Sequence, residues 1–197
     1  MTGLGREANV LGALSLVITD QAAGAIAAAA GQSASAAAAL SALDQFLDRP
    51  TIDRLRQVLG LTPSGAVRLV DRLADAGLVT RGPGEDGRSR SVSLTPRGRR
   101  VAARASAARA ATLTGALSGL TPAERRTLGS LLDRVMASVV DAKEGGAWIC
   151  RLCDLTACER AAGRCPAANA AHAKYGPVGD AAGASGGRAA VTPPARR

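Results

Sequence analysis

Apolar residues recur at three- and four-residue steps along most of the chain, which is the spacing of amphipathic helices. One such stripe runs from residue 8 to residue 29 and predicts a first helix with one buried face. Its apolar positions are Val10, Leu11, Leu14, Val17, Ile18, Ala22, Ala25, Ile26 and Ala29. A second helix is predicted from about residue 34 to residue 47. It ends before Pro50, because the residue preceding a proline leaves helical geometry.

The middle of the chain has the helix start and stop signals of a helix-turn-helix. Thr51 is a suitable N-cap for a short helix, and Gly60 stands where a left-handed C-cap residue belongs. Thr62-Pro63 then supplies a second N-cap and a first-turn proline, so a new helix begins after only about three residues. This helix is predicted to bury Ala66, Leu69, Val70 and Leu73 and to turn outward Ser64, Arg68, Asp71 and Arg72.

A β-hairpin follows the helix-turn-helix. Residues 78–81 have the pattern of a strand, residues 82–87 that of a turn, and residues 88–94 that of an alternating return strand. Thr95-Pro96 then begins a helix that extends to about residue 117. The sequence therefore places a hairpin rich in Gly and Arg directly beside the helix-turn-helix.

The last strongly periodic helix begins at a capping box formed by Thr121 and Glu124. Its apolar stripe is broader than a terminal helix needs if it packs only against its own chain, which predicts contact with a second subunit. The stripe consists of Leu128, Leu131, Leu132, Val135, Met136, Val139 and Val140.

The amino-acid composition limits the possible fold classes and indicates the kind of partner. Hydrophobic residues make up 47% of the 197 residues but aromatic residues only 2%, so the core consists mainly of Leu, Val and Ala. Such a core favours helices and disfavours an all-β sandwich or barrel. The net charge is +9, and residues 51–109 hold twelve arginines against five acidic residues. This concentration of positive charge indicates a polyanionic partner.

The apolar stretch from residue 10 to residue 30 is interpreted as an amphipathic core helix. It is interrupted by Thr19, Asp20 and Gln21 and is rich in Ala and Gly, which argues against a transmembrane segment. Arg6 and Glu7 occur together, so the net positive start of a signal peptide is missing. We expect a cytoplasmic protein without a membrane partner, and in a reducing compartment cysteines serve as thiols or metal ligands more often than as disulfides.

Two groups of motifs carry a family resemblance. Residues 55–62 (LRQVLGLT) and 70–79 (VDRLADAGLV) form the first group, and residues 85–89 (EDGRS) and 92–98 (VSLTPRG) form the second. Together with the order of the predicted elements, they resemble the recognition region and the Asp-x-Arg wing of MarR (multiple antibiotic resistance regulator) transcription factors. The resemblance covers roughly residues 4–142. It implies a mainly α, winged helix-turn-helix fold of about six helices and a β-hairpin wing, dimerised through its N- and C-terminal helices.

The resemblance assigns two residues to the wing. In the family the wing arginine enters the minor groove and the aspartate helps to hold the wing, which implies these roles for Arg88 and Asp86. The sequence departs from the family at Gly65 and Val67, which occupy recognition-helix positions where polar residues are commoner. A glycine inside a helix costs about 1 kcal/mol relative to alanine.

The chemistry of DNA recognition suggests further contacts. Arg68 and Arg72 can pair bidentately with guanine O6 and N7, and Val67 can contact a thymine methyl. Ser64 and the backbone N–H groups near the helix start can bind phosphate. The complete predicted DNA-binding set is Ser64, Gly65, Val67, Arg68, Arg72, Asp86, Arg88 and Arg90.

Structural roles compete with these assignments. Arg72 can instead form an ion pair with Asp71 or Asp75, and Arg68 can touch only phosphates. The basic positions at the start of the next helix can form a merely solvated face. They are Arg97, Arg99 and Arg100.

All four cysteines lie within 16 residues, with the spacing Cys150-x2-Cys153-x4-Cys158-x6-Cys165. The Cys-x2-Cys pair can bind one tetrahedral zinc ion, and the tight loop resembles a zinc knuckle. The final Cys-Pro dipeptide is instead similar to the end of bacterial ferredoxin motifs, which keeps an iron–sulfur cluster open. A third alternative is a set of free, redox-sensitive thiols with pKa values lowered by nearby arginines. His172 is a further candidate ligand.

These features predict a homodimeric, sequence-specific DNA-binding transcription regulator, a repressor that reads a pseudo-palindromic operator and is released by a small ligand, a metal or a redox signal. A non-specific architectural or RNA-binding protein is the first alternative, although stacking aromatic residues are scarce. A thiol or metal redox protein is the second, but no βαβ unit surrounds the cysteines and a single histidine offers little acid–base chemistry. We therefore expect no enzymatic activity.

Five regions follow from this interpretation. Residues 1–33 form an N-terminal dimerisation helix, residues 34–98 the winged helix-turn-helix, and residues 99–145 the C-terminal dimerisation helices. Residues 146–176 form a cysteine-rich segment. Residues 177–197 lack periodicity and have a Gly-, Ala-, Pro- and Arg-rich composition, which predicts a disordered tail.

Overall fold

The computed structural model describes residues 5–84, 89–142 and 149–175, and these residues form seven α-helices and one antiparallel pair of strands. The mainly helical, winged fold predicted from the sequence is confirmed. The elements are α1 (Arg6–Ala30), α2 (Ala34–Gln45), α3 (Ile52–Leu59), α4 (Pro63–Asp75), β1 (Val79–Pro83), β2 (Arg90–Leu94), α5 (Pro96–Ala116), α6 (Pro122–Ala142) and α7 (Pro166–Tyr175). Two short 3-10 turns, Ile149–Leu152 and Arg160–Ala162, precede α7.

Hydroxyl side chains start the helices at the predicted positions. Thr51, Thr62 and Thr95 each accept a hydrogen bond from the backbone N–H three residues ahead, at 2.9–3.1 Å. The predicted capping box is also present, because the backbone N–H of Thr121 donates to Glu124 at 2.8 Å and the Glu124 N–H donates back at 3.3 Å. The Thr121 N–H and the Thr121 hydroxyl both donate to the Glu124 carboxyl, which holds its pKa below its usual range.

One hydrophobic core joins α1, α2, α3, α4, α5 and the strands. At its centre is α2, in which every residue from 36 to 42 is buried. Half of the twelve residues of this helix are alanine, which lets the surrounding helices and strands approach it closely. The predicted inward residues of α4 are all buried, and Leu69, Val70 and Leu73 belong to this core.

The first helix buries less of its apolar face than the sequence predicts. Within α1 only Ala22, Ile26 and Ala30 are buried, since the helix packs mainly against α5. The prediction that the whole stripe is buried was therefore wrong: Ala29 is exposed, and 48–52% of the surface remains accessible at Val10, Leu11, Leu14 and Val17.

By length and composition alone, α1 could cross a membrane. Its most apolar 18-residue window has a mean hydropathy of 1.6, and 11% of that window is buried within the chain. Near its C-terminus the helix is tied to α5, because Arg104 Nε donates to the Ala29 carbonyl at 3.2 Å. Most of the apolar face of α1 is thus available for contacts outside the chain.

The apolar stripe of α6 divides into two parts. Leu131, Leu132, Val135 and Val139 are 43–51% exposed, as expected for residues that await a partner. Val140 is instead completely buried in a small cluster with Cys165 and Ala167. The following segment of the same chain therefore covers Val140, and the other four residues remain for the predicted contact with a second subunit.

The C-terminal segment, residues 149–175, spans from α2 to α6. Its first turn packs on α2, where Leu152 joins the main core and the Leu155 N–H donates to Gln45 Oε1 at 3.2 Å. Its last element, α7, was not predicted and packs on α6, with Lys174 donating to the Asp141 carbonyl. The predicted disordered tail lies outside the described residues.

Candidate nucleic-acid interface

The turn between α3 and α4 sets the orientation of the predicted recognition helix. Gly60 has a φ of +66°, and the Leu61 N–H bonds to the Arg56 carbonyl at 3.1 Å, so α3 ends in a left-handed cap. Thr62 starts α4 immediately afterwards. With its apolar residues buried in the core, α4 presents its opposite face to solvent.

That face brings together four of the predicted DNA-binding residues. Ser64, Val67, Arg68 and Arg72 are all exposed, and Val67 retains 45% of its surface although it is apolar. Neither arginine forms an ion pair with another residue of the described ranges, so the alternative pairing of Arg72 with Asp71 or Asp75 is not observed there. The outward face of α4 therefore carries unpaired positive charge beside a small apolar patch.

Asp71 has a partner that the sequence did not predict. Its carboxylate forms an ion pair with Arg81 of β1, and both side chains are partly exposed. The pair links the recognition helix to the wing and neutralises an acid that would otherwise repel phosphate. No local signal identifies it, because the two residues are ten positions apart and lie in different elements.

Gly65 occupies the first turn of α4 rather than its interior. Its N–H donates to the N-capping hydroxyl of Thr62 at 3.1 Å, and a Cβ at this position would lie only 2.9 Å from the same oxygen. The departure from the family pattern therefore has a local cause. With no side chain here, the N-terminus of α4 stays compact and its backbone can approach a ligand closely.

The wing is a paired hairpin that is also bonded to the loop before α3. β1 and β2 pair from Val79 with Leu94 to Pro83 with Arg90, and the Gly84 N–H bonds to the Ser89 carbonyl at 2.9 Å. The Val92 N–H donates to the Pro50 carbonyl at 2.9 Å, which ties β2 to the loop before α3. Arg90 is exposed at the start of β2. Two predicted wing residues, Asp86 and Arg88, lie outside the described residues.

The base of the wing packs directly against α5. Thr95 Oγ1 donates to the Gly77 carbonyl at 2.8 Å, and the backbone of Gly98 lies against the Leu78 carbonyl. A Cβ on Gly98 would lie 1.9 Å from that oxygen. This close contact fixes the start of α5 relative to the wing and to the end of α4.

A cleft lies on the side of this junction that faces α1. It has a volume of about 310 Å³. Its walls come from the end of α1, the end of α4, the residue that precedes β1 and the start of α5. The lining residues are Ala30, Gln32, Ala76, Leu78, Arg97, Arg100, Val101 and Arg104.

The four cysteines form a second candidate site. All are free thiols, with Cys150 and Cys165 buried and Cys153 and Cys158 half-buried. The Cys153 and Cys158 thiols donate to the backbone carbonyls of Ile149 at 3.6 Å and Leu155 at 3.5 Å, and the cysteines interact as two neighbouring pairs, Cys150 with Cys153 and Cys158 with Cys165. In the conformation described for residues 149–175, no three candidate ligands are arranged to hold a metal ion, and His172 is exposed on α7.

The first thiol pair shares a proton unequally. The pKa of Cys150 is lowered to about 6 by its interaction with the Cys153 thiol and by Arg160, which donates to its sulfur at 3.4 Å. The pKa of Cys153 is raised by the same interaction and by burial. In the second pair, burial and the neighbouring Cys165 raise the pKa of Cys158. The first pair therefore favours one thiolate beside one thiol.

Comparison with known proteins agrees with this geometry. Residues 30–89 match a family model described as MarR family. The chain is similar to a MarR-family transcriptional regulator from Silicibacter pomeroyi, with 29% identity, a TM-score of 0.54, and coverage of 68% of this chain and 92% of that one. Comparison with curated proteins gave no match.

Two further solved structures share the fold. RV1404 from Mycobacterium tuberculosis is 26% identical, with a TM-score of 0.58 and coverage of 69% of this chain and 95% of that one. MepR, a transcription regulator of the Staphylococcus aureus multidrug efflux pump MepA, is 14% identical, with a TM-score of 0.60 and coverage of 69% and 99%. Residues 30–89 thus match the MarR-family model, and the described residues have the winged helix-turn-helix fold of solved MarR-family transcriptional regulators.

Proposed function

We propose that the protein is a homodimeric transcription regulator that binds double-stranded DNA through α4 and the wing. The observation that carries this proposal is the exposed face of α4, where Arg68 and Arg72 have no ion-pair partner among the described residues. A helix with its N-terminus free and arginines outward suits the major groove. The similar solved structures are of transcriptional regulators, which favours this function over an enzymatic one.

Each exposed residue of α4 has a role in this proposal. Arg68 and Arg72 donate to guanine O6 and N7, and Val67 contacts a thymine methyl. Ser64 and the N–H groups of the first turn bind a backbone phosphate at the positive end of the helix dipole. Arg90 contacts the adjacent backbone, while minor-groove insertion of Arg88, supported by Asp86, remains a prediction from the family resemblance.

A second copy of the chain is the proposed partner of the exposed apolar faces of α1 and α6. These helices carry the large apolar residues that one chain leaves half exposed, among them Leu14, Val17, Leu132 and Val135. A soluble monomer rarely exposes large contiguous apolar patches. Pairing these helices would place two copies of α4 on one side of the dimer, which suits a pseudo-palindrome with half-sites about 34–36 Å apart. We propose the cytoplasm as its location.

We further propose that the regulator is a repressor released by a signal. A small anion is one suitable signal, since Arg97, Arg100 and Arg104 line the cleft between α1, α4 and α5. A ligand that binds there shifts DNA affinity only if it favours one arrangement of α1 and α4 over another. Displacement of the protein from its operator by small carboxylates, compared with neutral analogues of the same shape, tests this step.

The central experiment is selection of binding sites from random duplexes, followed by affinity measurement in competition. We expect recovery of a two-fold symmetric site and little competition from unrelated DNA. If unrelated duplexes compete equally well, the protein is a non-specific nucleic-acid binder and the regulatory proposal fails. Quantifying transcription from the selected site with and without the protein then distinguishes repression from activation.

A further inference from the structure

The C-terminal segment has very little core of its own. Its small cluster consists of Cys165 and Ala167 packed on Val140 of α6, with only small or half-buried residues around it. Its loops also include two left-handed residues, Glu159 with a φ of +52° and Gly163 with a φ of +70°. Segments that cannot bury a sizeable core are usually held together by disulfides or metal ions.

The cysteine sulfurs are already arranged as two adjacent pairs. Cys150 and Cys153 lie one turn apart, with the Cys153 N–H bonded to the Cys150 carbonyl at 2.9 Å, and Cys158 packs against the small cluster that contains Cys165. With zinc–sulfur bonds of about 2.3 Å, a tetrahedral site separates its sulfurs by roughly 3.8 Å, which two cysteines with the spacing Cys-x2-Cys can match. Each thiolate of a [4Fe–4S] cluster binds a different iron atom, which spreads the sulfurs further apart.

Two arginine side chains lie near the cysteines and can offset the negative charge of a zinc–thiolate site. A zinc ion with four thiolates carries a net charge of −2. Arg160 donates to Cys150 Sγ at 3.4 Å, and Arg109 of α5 lies close enough to Cys153 to stabilise its thiolate. Hydrogen bonds and charges of this kind orient metal ligands and stabilise the bound state.

We propose that Cys150, Cys153, Cys158 and Cys165 bind one Zn²⁺ and that this ion braces α2 against α6. Zinc binding forms four Zn–S bonds and releases to solvent the protons of those cysteines that are still thiols, with no change in oxidation state. The two thiol pairs must move together on binding, since no three ligands surround a common point in the conformation described for this segment. Binding completes a tetrahedral site.

The bracing role follows from where the two ends of the segment attach. Cys150 and Cys153 belong to or adjoin the turn that packs on α2, where Leu152 enters the main core. Cys165 directly precedes α7, which packs on α6. An ion that joins the two cysteine pairs therefore joins the DNA-binding region to the proposed dimerisation helix. Zinc binding itself does not depend on the proposed DNA-binding function, whereas any effect on DNA affinity does.

Metal content gives the first test. The full-length protein, purified anaerobically without chelators, is analysed for zinc and iron, and its visible spectrum is recorded. We expect one zinc per chain and no colour. Stoichiometric iron with a brown spectrum, or a metal-free protein with four freely titrating thiols, overturns the proposal. Titration of the metal-free protein with Co²⁺ should give the spectrum of a tetrahedral tetrathiolate site, and a spectrum with nitrogen or oxygen ligands would also overturn it.

Paired variants identify the ligands. Cys153→Ser and Cys158→Ser, one from each pair, should each lose the bound zinc. His172→Ala should keep one zinc per chain, because His172 is exposed on α7 and is not in the ligand set. Loss of zinc in the His172 variant, or its retention in both cysteine variants, contradicts the assignment. The Co²⁺ spectrum of the unmutated chain remains decisive if a serine variant fails to fold.

Hydrogen exchange tests the bracing role separately from DNA binding. Removal of zinc by a chelator should abolish protection of residues 149–175 and reduce it in α2, while α3 and α4 change little. Unchanged protection of α2 would reject the brace but leave the zinc site standing. Failure of the zinc-loaded protein to bind any DNA would count against the proposed function and not against the zinc site.

Discussion

Gly98 shows how a single backbone contact holds the wing against α5. A Cβ there would lie 1.9 Å from the Leu78 carbonyl oxygen. Because the contacted atom belongs to the backbone, no side-chain rotation can relieve this clash. Gly98→Ala should therefore destabilise the fold by roughly 1–3 kcal/mol, the usual cost of overpacking. The measurement is urea unfolding monitored by circular dichroism.

Gly115 provides the matched control on the same helix. A Cβ there meets no atom within 4 Å, so Gly115→Ala should raise the free energy of unfolding by up to about 1 kcal/mol through reduced backbone entropy. If both alanine variants shift the urea midpoint equally, the close contact at Gly98 does not limit the fold.

Arg68 and Arg72 should determine which bases the protein prefers. Replacement of either by alanine removes a bidentate contact and should cost about 1–3 kcal/mol against the preferred base, with little loss against the others. Affinities for single-base variants of the selected operator measure this. Arg126→Ala, at an exposed position on α6, is the control and should leave base preference unchanged. Uniform weakening across all sequences would reassign the two arginines to phosphate contacts.

Sequence predicted residue roles well where the physical cause is local. The capping threonines and the inward residues of α4 depend on neighbours within four positions, and the structure confirms them. The Asp71–Arg81 ion pair joins an acid on α4 to a strand residue, so it depends on how two elements meet. Val140 is buried by Cys165 and Ala167, which lie more than twenty residues further along the chain.

At the scale of elements, the exposed faces of α1 and α6 should form the dimer interface. Leu132→Glu places a charge in the middle of the α6 face, where Leu132 is 49% exposed in one chain. Burial of an unpaired carboxylate at an interface is costly, so the variant should dissociate to monomers. Light scattering coupled to size-exclusion chromatography gives the mass. Ser130→Glu, an exposed position on the opposite side of α6, should remain dimeric.

If Leu132→Glu and Ser130→Glu have the same mass as the unmutated protein, another surface holds the dimer together. Sedimentation of the same two variants with and without membranes separates a protein partner from a lipid one. A chain whose α1 lies in a membrane would sediment with the membrane fraction in both variants, whereas a dimer stays in solution.

Periodicity predicted the helices better than it predicted what covers them. The bounds of α1 to α6 lie within about two residues of the expected ones, because apolar spacing and caps are sequence properties. The fate of the α1 stripe was misjudged, since spacing identifies an apolar face but not the surface against it. Helix α7 was missed because its sequence, PAANAAHAKY, contains alanine on every side and no contrast between faces.

At the scale of the whole molecule, the distribution of charge is the property that sequence alone reveals most directly. Residues 51–109 carry most of the net charge of +9, and folding places the exposed members of this set on α3, α4, the wing and the start of α5. The sequence alone does not show which of these charges are neutralised by ion pairs. Pairing of Arg56 with Asp53 and of Arg81 with Asp71 leaves Arg68, Arg72 and Arg90 without an ion-pair partner among the described residues.

This uncancelled charge predicts a steep salt dependence of DNA binding. Each phosphate that the dimer neutralises releases condensed counterions, so a dimer with roughly six to ten phosphate contacts should lose about 10³- to 10⁵-fold in affinity between about 50 and 200 mM salt. Fluorescence anisotropy on a labelled operator gives the slope. Arg90→Ala should reduce that slope by about one phosphate per subunit, because Arg90 is exposed on the wing, while Arg126→Ala should not change it. A flat dependence for the unmutated protein would show that its positive charge does not face the DNA backbone, and the assignment of α4 and the wing to DNA would then fail.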